Sequence, residues 1–172
     1  KICNYDGSGD VMEVKKILDD SSSLINEDLN ASGEKVLILA SSNRYIEIIK
    51  YLLTQENLDV NQQDTNGFTA LHWASNNGYI DVVELLLSHS QIDSLIPTQF
   101  GEIALHKACY HGHKEIVLLL ASHNSSSLNI QDKFGSHSLL IASYYNHREI
   151  IEFLLCQNNI LVNFQNKVSK KR

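Results

Sequence analysis

The chain has 172 residues, a formal net charge of −6, and 43% apolar against 20% charged residues. That balance suits a folded, water-exposed chain and argues against disorder. The longest apolar stretches, such as 36–40 and 85–87, are too short to span a bilayer, and no Lys/Arg stripe follows any helix, so neither membrane insertion nor nucleic-acid binding is expected.

Three columns of residues share one period. Gly33, Gly67, Gly101 and Gly135 stand 34 residues apart, as do Leu37, Leu71, Leu105 and Leu139, and Ala40, Ala74, Ala108 and Ala142. A fixed period of roughly 20 to 50 residues marks a stacked array, which makes long surfaces rather than enclosed pockets.

The array opens with a partial unit over about 1–29, where Ile2 takes the leucine column and Met12, Val14, Ile17 and Leu18 outline a helix. The second unit, 30–63, carries Gly33, Leu37 and Ala40, then Glu47-Ile48-Ile49 and Leu52-Leu53. The third, 64–97, is the best formed. Asp64-Thr65-Asn66-Gly67 is a turn with glycine at positive φ, and Thr69 is a good N-cap for a short helix. Leu71 and Ala74 share that helix's buried face, and Gly78 suits the left-handed position after its end. A second helix runs through Ile80, Val82, Val83, Leu85, Leu86 and Leu87. The fourth and fifth units, 98–131 and 132–165, repeat this order, and a tail of 166–172 holds the basic cluster Lys167, Lys170, Lys171 and Arg172, expected to be a solvated end or linker.

These residues carry a family resemblance. Thr69-Ala70-Leu71-His72 and its neighbours Gly78 and Val82-Val83-Glu84-Leu85-Leu86-Leu87 resemble the ankyrin repeat, whose signature is T-P-L-H-x-A. Gly101, Leu105-His106-Lys107-Ala108 and Gly112-His113-Lys114-Glu115-Ile116-Val117 match it again. The resemblance spans nearly the whole chain and implies a single all-α ankyrin solenoid of about five helix-turn-helix repeats with hairpin-like fingers. Departures are specific. The usual period is about 33, and the extra residue falls after the second helix, around Glu56-Asn57, Ser90-Gln91 and Ser125-Ser126. The proline is missing, and Lys35, Ile103 and His137 replace the capping threonine; each lost cap is expected to cost about 1 kcal/mol. The outer repeats are expected to fray first.

Catalytic and metal chemistry find little support. In the family resemblance His72 and His106 stabilise the turns. His113 and His147 share another column, and His111 and His113, two residues apart, are expected to point in different directions. No metal, cofactor or small-molecule substrate is expected. Gly7-Ser8-Gly9-Asp10 lacks the lysine and strand of a phosphate loop and reads better as an inter-helix turn. Asn30-Ala31-Ser32 and Asn124-Ser125-Ser126 match the glycosylation pattern but read as turn residues. Cys3, Cys109 and Cys156 are odd in number and lack metal-ligand spacing; with Cys109 in a small-residue column, a reducing compartment, cytoplasmic or nuclear, is expected.

The resemblance implies a partner on the concave face, at the residues flanking the finger glycine and preceding the inter-helix glycine. In the third to fifth repeats these slots hold Phe68, Asn76 and Asn77, then Phe100, Glu102, Tyr110 and His111, then Lys133, Phe134, Tyr144 and Tyr145, with Trp73 close by. The second repeat offers only small or polar residues, Ala31, Ser32, Glu34, Ser42 and Asn43. Tyr and Trp are enriched in interface hot spots, so Phe68, Trp73, Tyr110, Phe134, Tyr144 and Tyr145 are candidate anchors and Glu102, His111 and Lys133 candidate rim residues. The competing reading is that some rings pack between repeats, Phe100 on Phe134 for example. The expected function is non-catalytic protein binding or scaffolding by a monomer. The alternative is a regulatory or targeting segment of a larger enzyme or channel, suggested by a first residue that is not Met and by Ile160-Leu161-Val162-Asn163-Phe164, which resembles the start of another finger.

Overall fold

A computed structural model describes residues 12, 15–17, 25–29, 33 and 35–162 of the chain. The expectations on Ile2, Cys3, the Gly7-to-Asp10 string, Asn30-Ala31-Ser32, Glu34 and everything from Asn163 onward lie outside the described residues. Among the described residues the secondary structure is entirely helical.

Four helix pairs follow one another: α1 (Val36–Ser42) with α2 (Ile46–Leu52), α3 (Ala70–Asn77) with α4 (Ile80–Leu87), α5 (Ala104–His111) with α6 (Lys114–His123), and α7 (Ser138–Tyr144) with α8 (Arg148–Leu155). The first helix of each pair packs on the first helix of the next, and second helices pack likewise, which builds two layers. The columns supply the seam. Leu37, Leu71, Leu105, Ala74, Ala108 and Ala142 are buried from the first layer, and Ile49, Val83, Val117, Leu52, Leu86, Leu120 and Leu154 from the second. The alanines leave room for helices to approach, while the branched and leucine side chains interlock between the layers.

The short link between paired helices turns on one residue in the left-handed region. Gly78 has φ 77° and Gly112 φ 78°. At Gly112 a Cβ would lie 2.6 Å from the His147 ring of the next unit, so glycine is required for space as well as for backbone freedom. Arg44 and Asn146 stand in the same column at φ 59° and 58°. The loops after the second helices are held by asparagine clamps: Asn61 Nδ2 donates to the Gln91 carbonyl at 2.7 Å while its Oδ1 accepts from the Asp93 amide at 2.9 Å, and Asn129 does the same with Asn159 and Leu161. The extra residue per period therefore sits in a loop stapled to its successor.

Candidate functional site

The fingers are built by an acceptor at their base. Asp64 Oδ1 accepts from the amides of Asn66 and Phe68, both at 2.9 Å, and Asp132 Oδ1 from those of Phe134 and Ser136, both at 2.8 Å. Thr98 Oγ1 fills this role in the finger between them, at 3.3 Å to Phe100 and Glu102. Adjacent tips are stitched directly: the Gln99 amide donates to the Asn66 carbonyl at 3.0 Å, and the Lys133 amide to the Phe100 carbonyl at 2.9 Å. Gly67 permits this approach, since a Cβ there would lie 2.8 Å from the Gln99 nitrogen.

The histidines hold backbone. His72 Nδ1 accepts from the Thr69 amide at 3.2 Å, Thr69 Oγ1 accepts from the His72 amide at 3.3 Å, and His72 Nε2 donates to the Glu102 carbonyl of the next finger at 3.0 Å. His106 Nδ1 accepts from the Ile103 amide and its Nε2 donates to the Ile130 carbonyl, both at 3.0 Å. The loss of the cap at Ile103 is thus only half a loss, because the imidazole still satisfies one end amide. Burial pushes His72 down to about 4 and lowers His106 as well, so both rings are neutral at pH 7. In the other column, His113 Nε2 donates to the Asn76 carbonyl at 3.1 Å and His147 Nε2 to the Tyr110 carbonyl at 3.0 Å, reaching the last turn of the preceding first helix. Sequence reading did not assign that second role; its signal was that each histidine follows an inter-helix glycine by 35 residues, one more than the period, His113 after Gly78 and His147 after Gly112.

The twelve sequence-derived site residues divide into two kinds. Phe68, Trp73, Asn76, Asn77 and Glu102 are half-buried and have partners within the chain. The Trp73 indole donates to Asp64 Oδ2 at 3.2 Å and its ring lies 5.2 Å from that of Phe68. Lys107 places its ammonium 4.9 Å over the Phe68 ring and 2.6 Å from Glu102 Oε2. Asn77 Nδ2 donates to the Ser42 carbonyl at 3.1 Å, and Asn76 Oδ1 accepts from His111 Nε2 at 3.0 Å. Lys107 was absent from the sequence-derived set, although it occupies the Trp73 column.

The other seven, Phe100, Tyr110, His111, Lys133, Phe134, Tyr144 and Tyr145, are exposed. Phe100 and Phe134 keep 51% and 55% of their surface open at neighbouring fingertips, and Tyr144 keeps 80%. Near the C-terminal ends of α5 and α7 the rings form a cluster. Tyr110 and Tyr145 have centroids 4.3 Å apart, Tyr144 meets Tyr145 edge-on at 5.0 Å, and His111 meets Tyr110 at 4.8 Å. A side-chain hydrogen bond with Tyr110 pushes the Tyr145 phenol up to about 12. The expectation that His111 and His113 diverge is corrected: their rings stack at 5.8 Å, 23° from parallel. Helical spacing does not apply across Gly112, whose left-handed backbone turns the chain between them. Burial lowers His111, with the neighbouring charges of His113, Lys107 and His147 acting in the same direction.

Among the described residues no group of three or more His, Cys, Asp or Glu side chains is placed to hold a metal, and no helix is long and apolar enough to cross a membrane. Cys109 is buried in the seam, and burial raises its thiol well above the ordinary range, as suits a packing residue rather than a nucleophile. A family model described as ankyrin repeats in three copies matches residues 7–96 and 90–166. No curated protein matches the chain significantly.

Proposed function

This chain belongs to the ankyrin repeat family, and on that premise we propose that it is a non-catalytic protein-interaction module whose partner lies on the concave side, across the fingertips and first helices of residues 64–145. The observation that carries this reading is the exposed aromatic set Phe100, Tyr110, Phe134, Tyr144 and Tyr145. Five large rings left open on one side of a well-packed scaffold are an interaction patch, and tyrosine buries much area for little lost side-chain entropy. Phe68 and Trp73, already packed on each other, serve as floor rather than as anchors. The face works as monomeric scaffold surface, without cofactor or small-molecule substrate, in a reducing compartment of cytosol or nucleus where Cys109 and Cys156 stay free thiols.

Replacing Tyr110 and Tyr144 together with alanine is expected to weaken binding of a partner, once isolated, by at least about tenfold, or 1.4 kcal/mol, with the helical CD spectrum unchanged. Undiminished affinity in an isothermal titration would move the site elsewhere on the array.

A further inference from the structure

Two asparagine–glycine steps occur in the chain, Asn66-Gly67 and Asn77-Gly78. Such a step is reactive because glycine has no Cβ to shield its backbone nitrogen, which can close on the asparagine side-chain carbonyl carbon. The two glycines share a backbone conformation, at φ 82° and 77°, and both nitrogens donate in the folded chain, Gly67 to the Asp64 carbonyl and Gly78 to the Ala74 carbonyl. What differs is the asparagine. Asn77 is half-buried at the end of α3, where its Nδ2 donates to the Ser42 carbonyl and its Oδ1 accepts from Asn76 Nδ2, both at 3.1 Å. Asn66 is exposed at a fingertip, and its Nδ2 donates no hydrogen bond among the described residues.

Closing a ring at Asn66 needs the turn bond from Gly67 and the stitch from the Gln99 amide to open, both at an exposed tip. Closing one at Asn77 needs the last turn of α3 to fray and the contacts with Ser42 and Asn76 to break as well. Exposed turns open at a lower free-energy cost than packed helix ends. We propose that Asn66 is a self-modification site, converting to aspartate and isoaspartate on the folded chain, while the same dipeptide at Asn77 is protected. The Gly67 nitrogen gives up its proton and bonds to Asn66 Cγ; the bond from Cγ to Nδ2 breaks and the amide leaves as ammonia. Water then opens the five-membered imide at Cγ, giving aspartate, or at the main-chain carbonyl carbon, giving isoaspartate. Water is the co-reactant and no electrons are transferred.

Conversion reaches the base of the finger. Asp64 Oδ1 accepts from the amides of both Asn66 and Phe68 at 2.9 Å, and isoaspartate puts one extra backbone carbon between those amides. The Asn66 carbonyl that receives the Gln99 amide at 3.0 Å becomes a carboxylate outside the main chain, so the stitch to the next finger is lost. Asp64 Oδ2 in turn holds the indole of Trp73, the single tryptophan of the chain, at 3.2 Å. Modification at the tip is therefore transmitted to the floor of the concave side, and indole fluorescence reports it.

The test incubates the intact chain in mildly alkaline buffer at physiological temperature and maps its chymotryptic peptides by mass spectrometry, with cleavage after Phe68 and Trp73 separating the two sites. Labelling by isoaspartyl methyltransferase counts the isoaspartate. Asn66 is expected to convert at least about fivefold faster than Asn77, with indole fluorescence changing in step. Asn66→Gln, whose longer side chain has to close a six-membered ring, is expected to remove both signals while the helical CD spectrum is kept. Equal rates at the two sites mean that conversion passes through the unfolded chain and overturn the proposal. So does an unmodified Asn66 once a synthetic peptide of residues 63–69 has converted. Conversion at Asn66 with unchanged fluorescence overturns the transmission to Trp73 and leaves the modification site standing.

Discussion

The two middle helix pairs, α3–α4 and α5–α6, and the flanking pairs, α1–α2 and α7–α8, reach one architecture with different local support. In the middle, glycine occupies the left-handed link, a histidine ties each first helix to backbone further along the chain (His72 to the Glu102 carbonyl of the next finger, His106 to the Ile130 carbonyl of the loop before the next finger), and the first helices run eight residues. In the flanking pairs Arg44 and Asn146 take the left-handed link, Ile38 and Leu140 replace the bridging histidines, Lys35 and His137 provide no side-chain cap, and the first helices are seven residues long. The repeat forms without the glycine link and the bridging histidine, since the flanking pairs keep the same buried columns. The additional hydrogen-bonded devices of the middle are expected to raise its local stability above that of its neighbours. The proposed binding face straddles the divide, with Tyr110 and His111 in a well-supported unit and Tyr144 and Tyr145 in a poorly supported one.

Placing valine at Gly112 should collapse the advantage of the middle. A branched side chain in the left-handed region, aimed at the His147 ring 2.6 Å away, should cost about 3 kcal/mol or more. Urea unfolding followed by CD reads it, and a loss under about 1 kcal/mol would mean that the link is more adaptable than its geometry implies. Acidification should erode the same region. His72 sits at about 4 in the folded chain and near 6.5 unfolded, so the unfolded chain binds more protons between those values. Stability from this group is complete above pH 6.5 and declines toward pH 4, by on the order of 3 kcal/mol. Thermal melts across that window check the sign; a midpoint that rises on acidification contradicts a buried neutral imidazole.

A His72→Phe variant separates bridge from bulk. It keeps a flat ring, somewhat larger than the imidazole, but leaves the Thr69 amide unpaired and removes the donor to the Glu102 carbonyl, and should cost about 2 kcal/mol while flattening the pH dependence. Retention of the full acid sensitivity would assign that sensitivity to His106 instead. The smallest change runs the other way. Asn146→Gly relieves a left-handed non-glycine and should stabilise the last pair by about 0.5 kcal/mol, since asparagine tolerates this region better than most residues. Hydrogen exchange of the α7 and α8 amides is the sensitive measure, and slower exchange is expected there with the middle unchanged.

Much of this was legible in the sequence. The Leu and Ala columns are the buried seam, Thr69 is the cap it was read to be, and Gly78 is the left-handed link. Arg44 and Asn146 escaped notice because a column is recognised by its glycine, and nothing in an arginine's own chemistry announces positive φ. The candidate site was legible as positions but not as occupancy. Slots 68, 73, 77 and 102 were identified, yet whether a side chain there is free depends on Lys107, Asp64 and Ser42 reaching it from elsewhere in the fold. The extra residue per period was visible as an insertion. That it is stapled by Asn61 and Asn129 required the loops to be placed side by side.

The bond from His147 to the Tyr110 carbonyl bears on how the array can be divided. The backbone under Tyr110 is fixed by a side chain from the following unit, just as the backbone of Asn76 is fixed by His113. The backbone at the end of these two first helices is therefore held jointly by two successive repeats. An excised fragment ending at residue 131 would keep every atom of Tyr110 yet lose the pin that orients it, so the smallest transplantable unit of this surface is a pair of repeats rather than one.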